Sequence, residues 1–276
     1  DQFDGDVIGI LTYSSSGYQL VKDKTLGLPP VIEADLKQEV THIVPTDEKL
    51  TVASYNVENF SNNTANTPDE KVAKIAQTFV TNMKSPDIIT LVEVQDNDGQ
   101  DQTGNVDASE SYNRLIEAIK VAGGPTYAWT DVAPVNNTNG GAPGGNIRVG
   151  YLYNPERVSL VEGTKGEATD ANAWTEDGNL TLNPGVVNPD AFSGTRKPIA
   201  AEFEFQGQRV VVIGNHLNSK GGDQSLWGAN QPPQLGSEAE RLQLAQEVNN
   251  FIKAGLAKNP DLNVVVTGDM NDFEFT

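Results

Sequence analysis

The chain has 276 residues, enough for one large domain or two ordinary ones with a core that needs no disulfides. Acidic residues outnumber basic ones 38 to 19, and a net charge of −19 argues against a protein that coats DNA or anionic membrane through a broad basic face. With no cysteine and only His42 and His216 as histidines, thiol catalysis, cysteine-based zinc and three-histidine zinc are excluded, so a metal here is expected to be a hard cation on oxygen ligands.

Val7-Ile8-Gly9-Ile10-Leu11-Thr12-Tyr13, the Ser14-Ser15-Ser16-Gly17 turn and Tyr18-Gln19-Leu20-Val21 form a β-hairpin pattern. Pro29-Pro30 and the unperiodic stretch up to 49 read as a linker. A lone hairpin is not stable by itself, so residues 1–47 are expected to be an extension packed on the main body, or the tail of an upstream β-rich module. From residue 50 strands and helices alternate. A strand over 51–55 ends at Asn56-Val57-Glu58-Asn59, and Thr67 is placed to cap a helix opening Pro68-Asp69-Glu70 and carrying Val72, Ile75, Ala76, Phe79 and Val80 inward. Ile88-Ile89-Thr90-Leu91-Val92 is a buried-strand run followed at once by Glu93, and a second helix spans 112–121.

A Gly/Asn/Pro-rich loop over 134–146 precedes a strand pair at 149–153 and 158–161. Further strands are predicted at 199–205 and 210–213, a helix from a capping box at Ser237-Glu238-Ala239-Glu240 to about 256, and a last strand at 262–267 running into Gly268-Asp269-Met270-Asn271-Asp272. There is no internal repeat. No apolar run approaches the roughly 18 residues of a membrane helix, so stable membrane insertion is not expected. The chain opens at Asp1 on an acidic stretch rather than a cleavable signal, as a mature or trimmed exported protein does. The expected location is extracellular or at the cell surface.

Four separate strands deliver Asn56, Glu93, Asn215-His216 and Asp269-Asn271 directly at their ends, which is how α/β sheets assemble sites. Each residue alone also has a structural reading: Glu93 as a solvated strand-end carboxylate, His216 as a satisfied core histidine, Asp269-x-Asn271 and Asn56–Asn59 as turn or capping residues. Together they suit phosphodiester hydrolysis, which needs a cation, transition-state donors, a base and an acid. On this reading Glu93 is expected to ligate a hard cation, with Asn56 fixing that carboxylate or a water on the cation. His216 is expected to donate to a phosphate oxygen or to protonate the leaving group, Asp269 to orient water or a histidine, and Asn271 to hydrogen-bond phosphate.

Ser54-Tyr55-Asn56-Val57-Glu58-Asn59 and Leu91-Val92-Glu93-Val94-Gln95 resemble the opening of the endonuclease/exonuclease/phosphatase superfamily, the deoxyribonuclease I-like proteins. The likeness continues, in family order, through Ile147-Arg148-Val149-Gly150-Tyr151, Arg196-Lys197-Pro198, Gly214-Asn215-His216-Leu217-Asn218-Ser219-Lys220 and Gly268-Asp269-Met270-Asn271-Asp272. The histidine motif with Gln231-Pro232-Pro233 is most similar to bacterial secreted nucleases of the family. The resemblance implies a four-layer α/β/β/α sandwich of two mixed β-sheets over 48–276. It implies a metal-end pair of Glu93 and Asn56, catalytic His216, Asp269 and Asn271, and a phosphate-proximal Arg196. Lys197, Arg148 and Lys220 are expected to add a local cationic rim and Asn218 a phosphate contact, with solvated loop charge the alternative for the four cations. The cofactor it implies is Mg²⁺, with Mn²⁺ or Ca²⁺ as alternatives. Its substrate is nucleic acid, DNA first and RNA second, cut by in-line water attack to 5′-phosphate and 3′-hydroxyl products.

Two other readings keep the sequence evidence: a hydrolase of phospholipid or phosphorylated sugar on the same fold, and an inactive surface module. The family pattern closes with a Ser-Asp-His motif that does not follow the Gly-Asp-x-Asn loop here, so low hydrolysis by the isolated chain is expected. The acidic run at 96–101 reads as a solvated loop rather than a calcium loop. Trp129 reads as core, and Trp174 and Trp227 as loop residues available for base stacking.

Overall fold

The computed structural model describes residues 1–14 and 17–273. The chain divides into two compact units, residues 1–39 with 219–240 and residues 40–218 with 241–276. The first break between these units falls at 39/40. The smaller unit also takes in a segment from far along the chain, an association no local pattern signals.

In the smaller unit, β1 (Gln2–Phe3) pairs antiparallel with β4 (Val31–Ile32), inside the stretch expected to be linker. β2 (Gly9–Ser14) pairs with β3 (Gly17–Lys22), setting Leu11 opposite Leu20 and Tyr13 opposite Tyr18. The Ser15 and Ser16 positions of the expected turn lie outside the described residues. Ala229 N–H donates to the Tyr13 hydroxyl at 3.2 Å, which shows how the later segment joins this unit.

The larger unit holds two mixed sheets. In the first, β5 (Val52–Phe60) runs parallel to β6 (Ile88–Val94), and β6 pairs antiparallel with β8 (Arg148–Tyr153), which pairs antiparallel with β7 (Ala128–Asp131). In the second, β10 (Gly185–Val186), β11 (Ile199–Phe205) and β12 (Gln208–His216) are antiparallel in turn, while β13 (Val264–Asp269) lies parallel to β12. β9 (Ser159–Leu160) pairs with β11, so the two strands expected as a pair around 149–161 belong to different sheets. The connection between them is where the chain changes sheet, and strand periodicity carries no information on that partner.

Period-two alternation explains the layering. From β6, Ile89 and Leu91 face α1 (Asp69–Gln77) and α2 (Ser109–Val121), packing with Val72, Ile75, Tyr112 and Leu115. Ile88, Val149 and Tyr151 face the other way and meet Ile199, Ala201, Phe203 and Val212 of the second sheet. The far face of that sheet, with Ala200, Val211 and Ile213, is covered by Leu244 and Val248 of α3 (Gly236–Lys258). The order of layers is therefore helix, sheet, sheet, helix. Two local readings are revised. Thr67 turns its hydroxyl to accept from Ser61 N–H (2.9 Å) instead of capping α1, and the helix continues through a π-helical turn over Thr78–Asn82 that buries Phe79.

The sheets are tied together by polar contacts as well as by packing. The buried Tyr151 hydroxyl reaches across, lying 2.5 Å from Ile199 O and 2.9 Å from Val212 O and accepting from Gly214 N–H at 2.7 Å. The hydroxyls of Thr90 and Thr267 meet at 2.7 Å. Gly214 leaves room for this crossing, because a Cβ there would stand 2.7 Å from Val149 Cγ1 and 2.8 Å from Thr90 Cγ2. Gly214→Ala is expected to push the sheets apart and lower stability by about 1–3 kcal/mol, the scale of core overpacking. The measurement is urea unfolding, and an unchanged midpoint would refute the tight inter-sheet fit.

Candidate active site

Glu93 was expected just after a strand, and the structure shows a sharper device. Pairing of β6 with both neighbours shifts register around this residue, so that Val92 and Val94 are paired while Glu93 bulges with φ +69°. A bulge re-aims one side chain without ending the strand. β5 does the same opposite it. Its register breaks between Asn56 and Phe60, and Glu58 and Asn59 both take left-handed φ, 56° and 54°. Asn56 therefore lies within a strand rather than at its end, and the irregular stretch presents donors to Glu93. Asn56 Nδ2 donates to Glu93 Oε1 at 2.9 Å, and Asn59 N–H donates to Glu93 Oε2 at 3.1 Å.

The second sheet supplies the rest. Asn215 and His216 are the last residues of β12, not a loop after it, and His216 pairs in register with Asp269 of β13. Asn56 Nδ2 also donates to Asp269 Oδ2 at 3.1 Å, so one amide nitrogen bridges two carboxylates from different sheets. Its Oδ1 accepts from Glu58 N–H at 2.8 Å. The amide thus turns nitrogen, not oxygen, toward the carboxylates and orients them. His216 Nε2 stands 3.8 Å from Glu93 Oε1, beyond hydrogen-bond length, and Nδ1 is buried without a partner. Burial pushes the imidazole down to about 4, aided by the Arg196 charge and opposed by Asp269, so the ring is neutral near pH 7.

The backbone after His216 is gripped from several sides. Leu217 O accepts from Arg196 Nη2 at 2.7 Å and from Asn271 Nδ2 at 2.9 Å, and Leu217 N–H donates to Asp269 O at 3.0 Å. Asn271, with φ +53°, also donates its N–H to Asp269 Oδ1 at 2.9 Å. Gly268 makes the approach possible, since at φ +123° an added Cβ would fall 2.0 Å from Asn215 O. Glu93, Asn56, His216, Asp269, Asn271 and Arg196 therefore form one group at a shared end of the two sheets.

The family profile described as "Endonuclease/Exonuclease/phosphatase family" matches residues 53–274, a span that contains all six of these residues. The chain belongs to the Endonuclease/Exonuclease/phosphatase family. No curated protein matches it. Among solved structures, it is similar to a humanized TDP2 from D. rerio (16% identity, 82% of this chain and 63% of that one, TM-score 0.46). A β-hairpin deletion mutant of beta toxin from Staphylococcus aureus is similar at 18% identity, with 83% and 69% covered and a TM-score of 0.47. An Endonuclease/Exonuclease/phosphatase family protein from Bacteroides thetaiotaomicron is similar at 18% identity, with 82% and 65% covered and a TM-score of 0.46. The chain spans less than two thirds of the length of the D. rerio TDP2 chain.

Three further residues were expected on a phosphate rim. Arg148 is 2% exposed and inside the protein, its Nη1 3.2 Å from Asp131 Oδ2 and its Nε donating to Asn146 O at 3.2 Å. The residue sits on β8 with its side chain turned inward, so its charge serves a buried ion pair. Asn218 Oδ1 accepts from the Thr195 hydroxyl, and its carbonyl is 3.4 Å from Arg241 Nη1, so its side chain braces the loop. Lys220 belongs to the smaller unit.

The acidic run is also revised. Asp96 is fully buried, accepting from Asp98 N–H (2.9 Å) and Asn146 Nδ2 (2.8 Å), and is thus not solvated; burial raises its pKa. Trp174 packs on Phe251 and donates its Nε1–H to Phe251 O at 2.8 Å, which removes it as a stacking platform. Trp129 stacks on Tyr112 with ring centroids 4.5 Å apart, and Trp227 in the smaller unit is 81% exposed. The residues missed from sequence are Asn59, Gln95 and Arg241. The first two lay inside quoted motifs, but only the bulges show what they touch. Arg241, 3% exposed on α3, donates to Asp272 Oδ2 at 2.8 Å.

Among the described residues, no group of three or more His, Asp and Glu side chains is arranged to hold a metal. The donor set nevertheless suits one hard cation. Glu93 and Asp269 turn oxygens toward a single shared amide, and carboxylate oxygens are what Mg²⁺ selects. Arg148→Met is expected to lower stability by about 3–5 kcal/mol, because Asp131 stays buried with one partner fewer. Substrate KM should not change. A raised KM with intact stability would restore Arg148 to the substrate rim.

Proposed function

We propose that this chain hydrolyses phosphodiesters with a divalent cation, Mg²⁺ first, and that its substrate is DNA cut with low sequence specificity. The proposal extends to an extracellular or cell-surface setting, supported by the cysteine-free, acidic composition. The observation that carries it is the convergence of two carboxylates, Glu93 and Asp269, on one amide, with a neutral buried imidazole beside them.

Each residue has work suited to its surroundings. Glu93, held at both oxygens by β5 donors, is the ligand for the cation, with Asp269 across from it. The cation, when bound, supplies Lewis-acid stabilisation of charge on the phosphoryl oxygens. Asp269 Oδ2 is the acceptor that aims the attacking water in line with the leaving oxygen. The neutral His216 ring carries one N–H. Because Nε2 makes no hydrogen bond to Glu93, the ring is uncommitted on that side and donates to a phosphate oxygen. Arg196 places positive charge beside His216 in a chain of strongly negative total, a local attraction for phosphate. The Asn271 amide holds Leu217 O and so keeps the His216 loop and the Asp269 loop in one geometry.

Supercoiled-plasmid nicking tests the reading. Weak cleavage is expected from this chain with Mg²⁺, full cleavage from a chain that carries the closing Ser-Asp-His motif, and none from either with chelator. Glu93→Gln is expected to reduce cleavage about 100-fold or more, the effect of losing a principal electrostatic stabiliser. An intact plasmid from folded wild-type protein, with cleavage of a phospholipid or sugar phosphate instead, would reject DNA as substrate. Cleavage that survives Glu93→Gln would reject the cation site.

A further inference from the structure

We propose that Gln95 is a positioning residue for Glu93, acting through Asn59. The inference rests on the reading of Glu93 as the cation's ligand and deepens it.

Glu93 is aimed by an irregular stretch of β5 that opposes ordinary backbone preference. Glu58 and Asn59 are consecutive left-handed residues, and Glu93 itself is a third. A non-glycine residue holds such a conformation only where its surroundings over-determine it. Asn59 matters most, since its N–H is the donor that fixes Glu93 Oε2. If Asn59 relaxes, Glu93 keeps only the Asn56 contact and is free to swing about it.

Gln95 supplies the hold. It lies two residues beyond the bulge, is fully buried, and donates from Nε2 to Asn59 Oδ1 at 3.1 Å. Its own N–H donates to Phe60 O at 2.7 Å, just past the irregular stretch, so Gln95 brackets that stretch by backbone and side chain together. Gly145 backs the amide closely, and a Cβ there would stand 2.4 Å from Gln95 Nε2. The missing side chain at Gly145 thus leaves the space in which the amide reaches Asn59.

The other end of the amide makes no contact that would account for its place in the interior. Gln95 Oε1 is buried with no hydrogen-bond partner. A polar atom left unpaired in the interior is unfavourable, and an apolar side chain of similar volume would avoid it. The contact retained against that disadvantage is the one to Asn59. Asn59 is only half-buried, so water can replace Gln95 at its Oδ1 without large loss to the fold. What is lost is the fixed position of the Asn59 N–H, and with it the preorganised Glu93 carboxylate.

The test uses Gln95→Met, which conserves volume, and Asn59→Ala, which removes the acceptor. Three readouts separate positioning from stability: thermal midpoint, backbone amide hydrogen exchange at Asn59 in chelator, and calorimetric Mg²⁺ affinity. In Gln95→Met the midpoint is expected to hold or rise. Asn59 exchange should quicken about 10-fold and Mg²⁺ affinity weaken about 10-fold, as for loss of a group that orients a metal ligand. The double variant should bind Mg²⁺ no more weakly than Asn59→Ala alone. Unchanged Asn59 exchange in Gln95→Met overturns the proposal, as does full additivity in the double variant. If Gln95→Met fails to fold, a normal Mg²⁺ affinity in Asn59→Ala overturns it equally. A wild-type protein that binds no Mg²⁺, but whose Asn59 amide opens in Gln95→Met, rejects the metal role of Glu93 and supports the Gln95–Asn59 hold.

Discussion

One amide nitrogen, Asn56 Nδ2, lies between two carboxylates that arrive from two different sheets. Like charges that share one donor are held together by that donor against their mutual repulsion. The rest of the larger unit can be understood as the means of keeping them there. The bulge at Glu93 aims one carboxylate, the parallel pairing of β12 with β13 delivers the other, and the sheets must stack closely for a single side chain to reach both. Tyr151, threaded through to Val212, Ile199 and Gly214, and the Thr90–Thr267 contact set that spacing.

The cationic side is built with the same economy of parts. The chain is acidic as a whole, yet Arg196 and the neutral His216 are held next to the carboxylates through the backbone of Leu217. That carbonyl accepts from Arg196 and Asn271 together. A shift in either loop is therefore felt by the histidine and by Asp269. Behind them, Arg241 on α3 joins Asp272 and the Asn218 carbonyl, extending the bracing to the outer helix layer.

Much of this was legible in the sequence, and the failures are instructive. The continuous apolar run at Ile88–Val92 marked a buried strand, and the polar residues after each such run marked where the site would gather. Arg148 misled because a strand position shows that side chains alternate, not which face an arginine takes. It took the inner face and pairs with Asp131. Trp174 misled because polar neighbours in sequence hid an apolar neighbour in space, Phe251. Asp96 was read as solvated because it sits in an acidic run, yet Asn146 from a distant loop buries and binds it. Asn59 and Gln95 stood inside recognised motifs, but a bulge changes which residues face one another, and no periodicity announces one.

The sequence by itself determined most strands and helices of the larger unit, because apolar period and turn residues are local properties of the chain, while the short strands β7 and β10 carried no such signal. It also determined the chemical types present: carboxylates and amides at strand ends, one histidine at a strand end, no thiol. Only the tertiary structure decided that the strands around residues 149 and 159 part into separate sheets, and that residues 219–240 join the N-terminal unit. It alone decided that Asn56 faces two carboxylates at once. Those outcomes depend on which distant surfaces bury each other and which donors they leave pointing inward, and such energies are set by neighbours that no stretch of sequence contains.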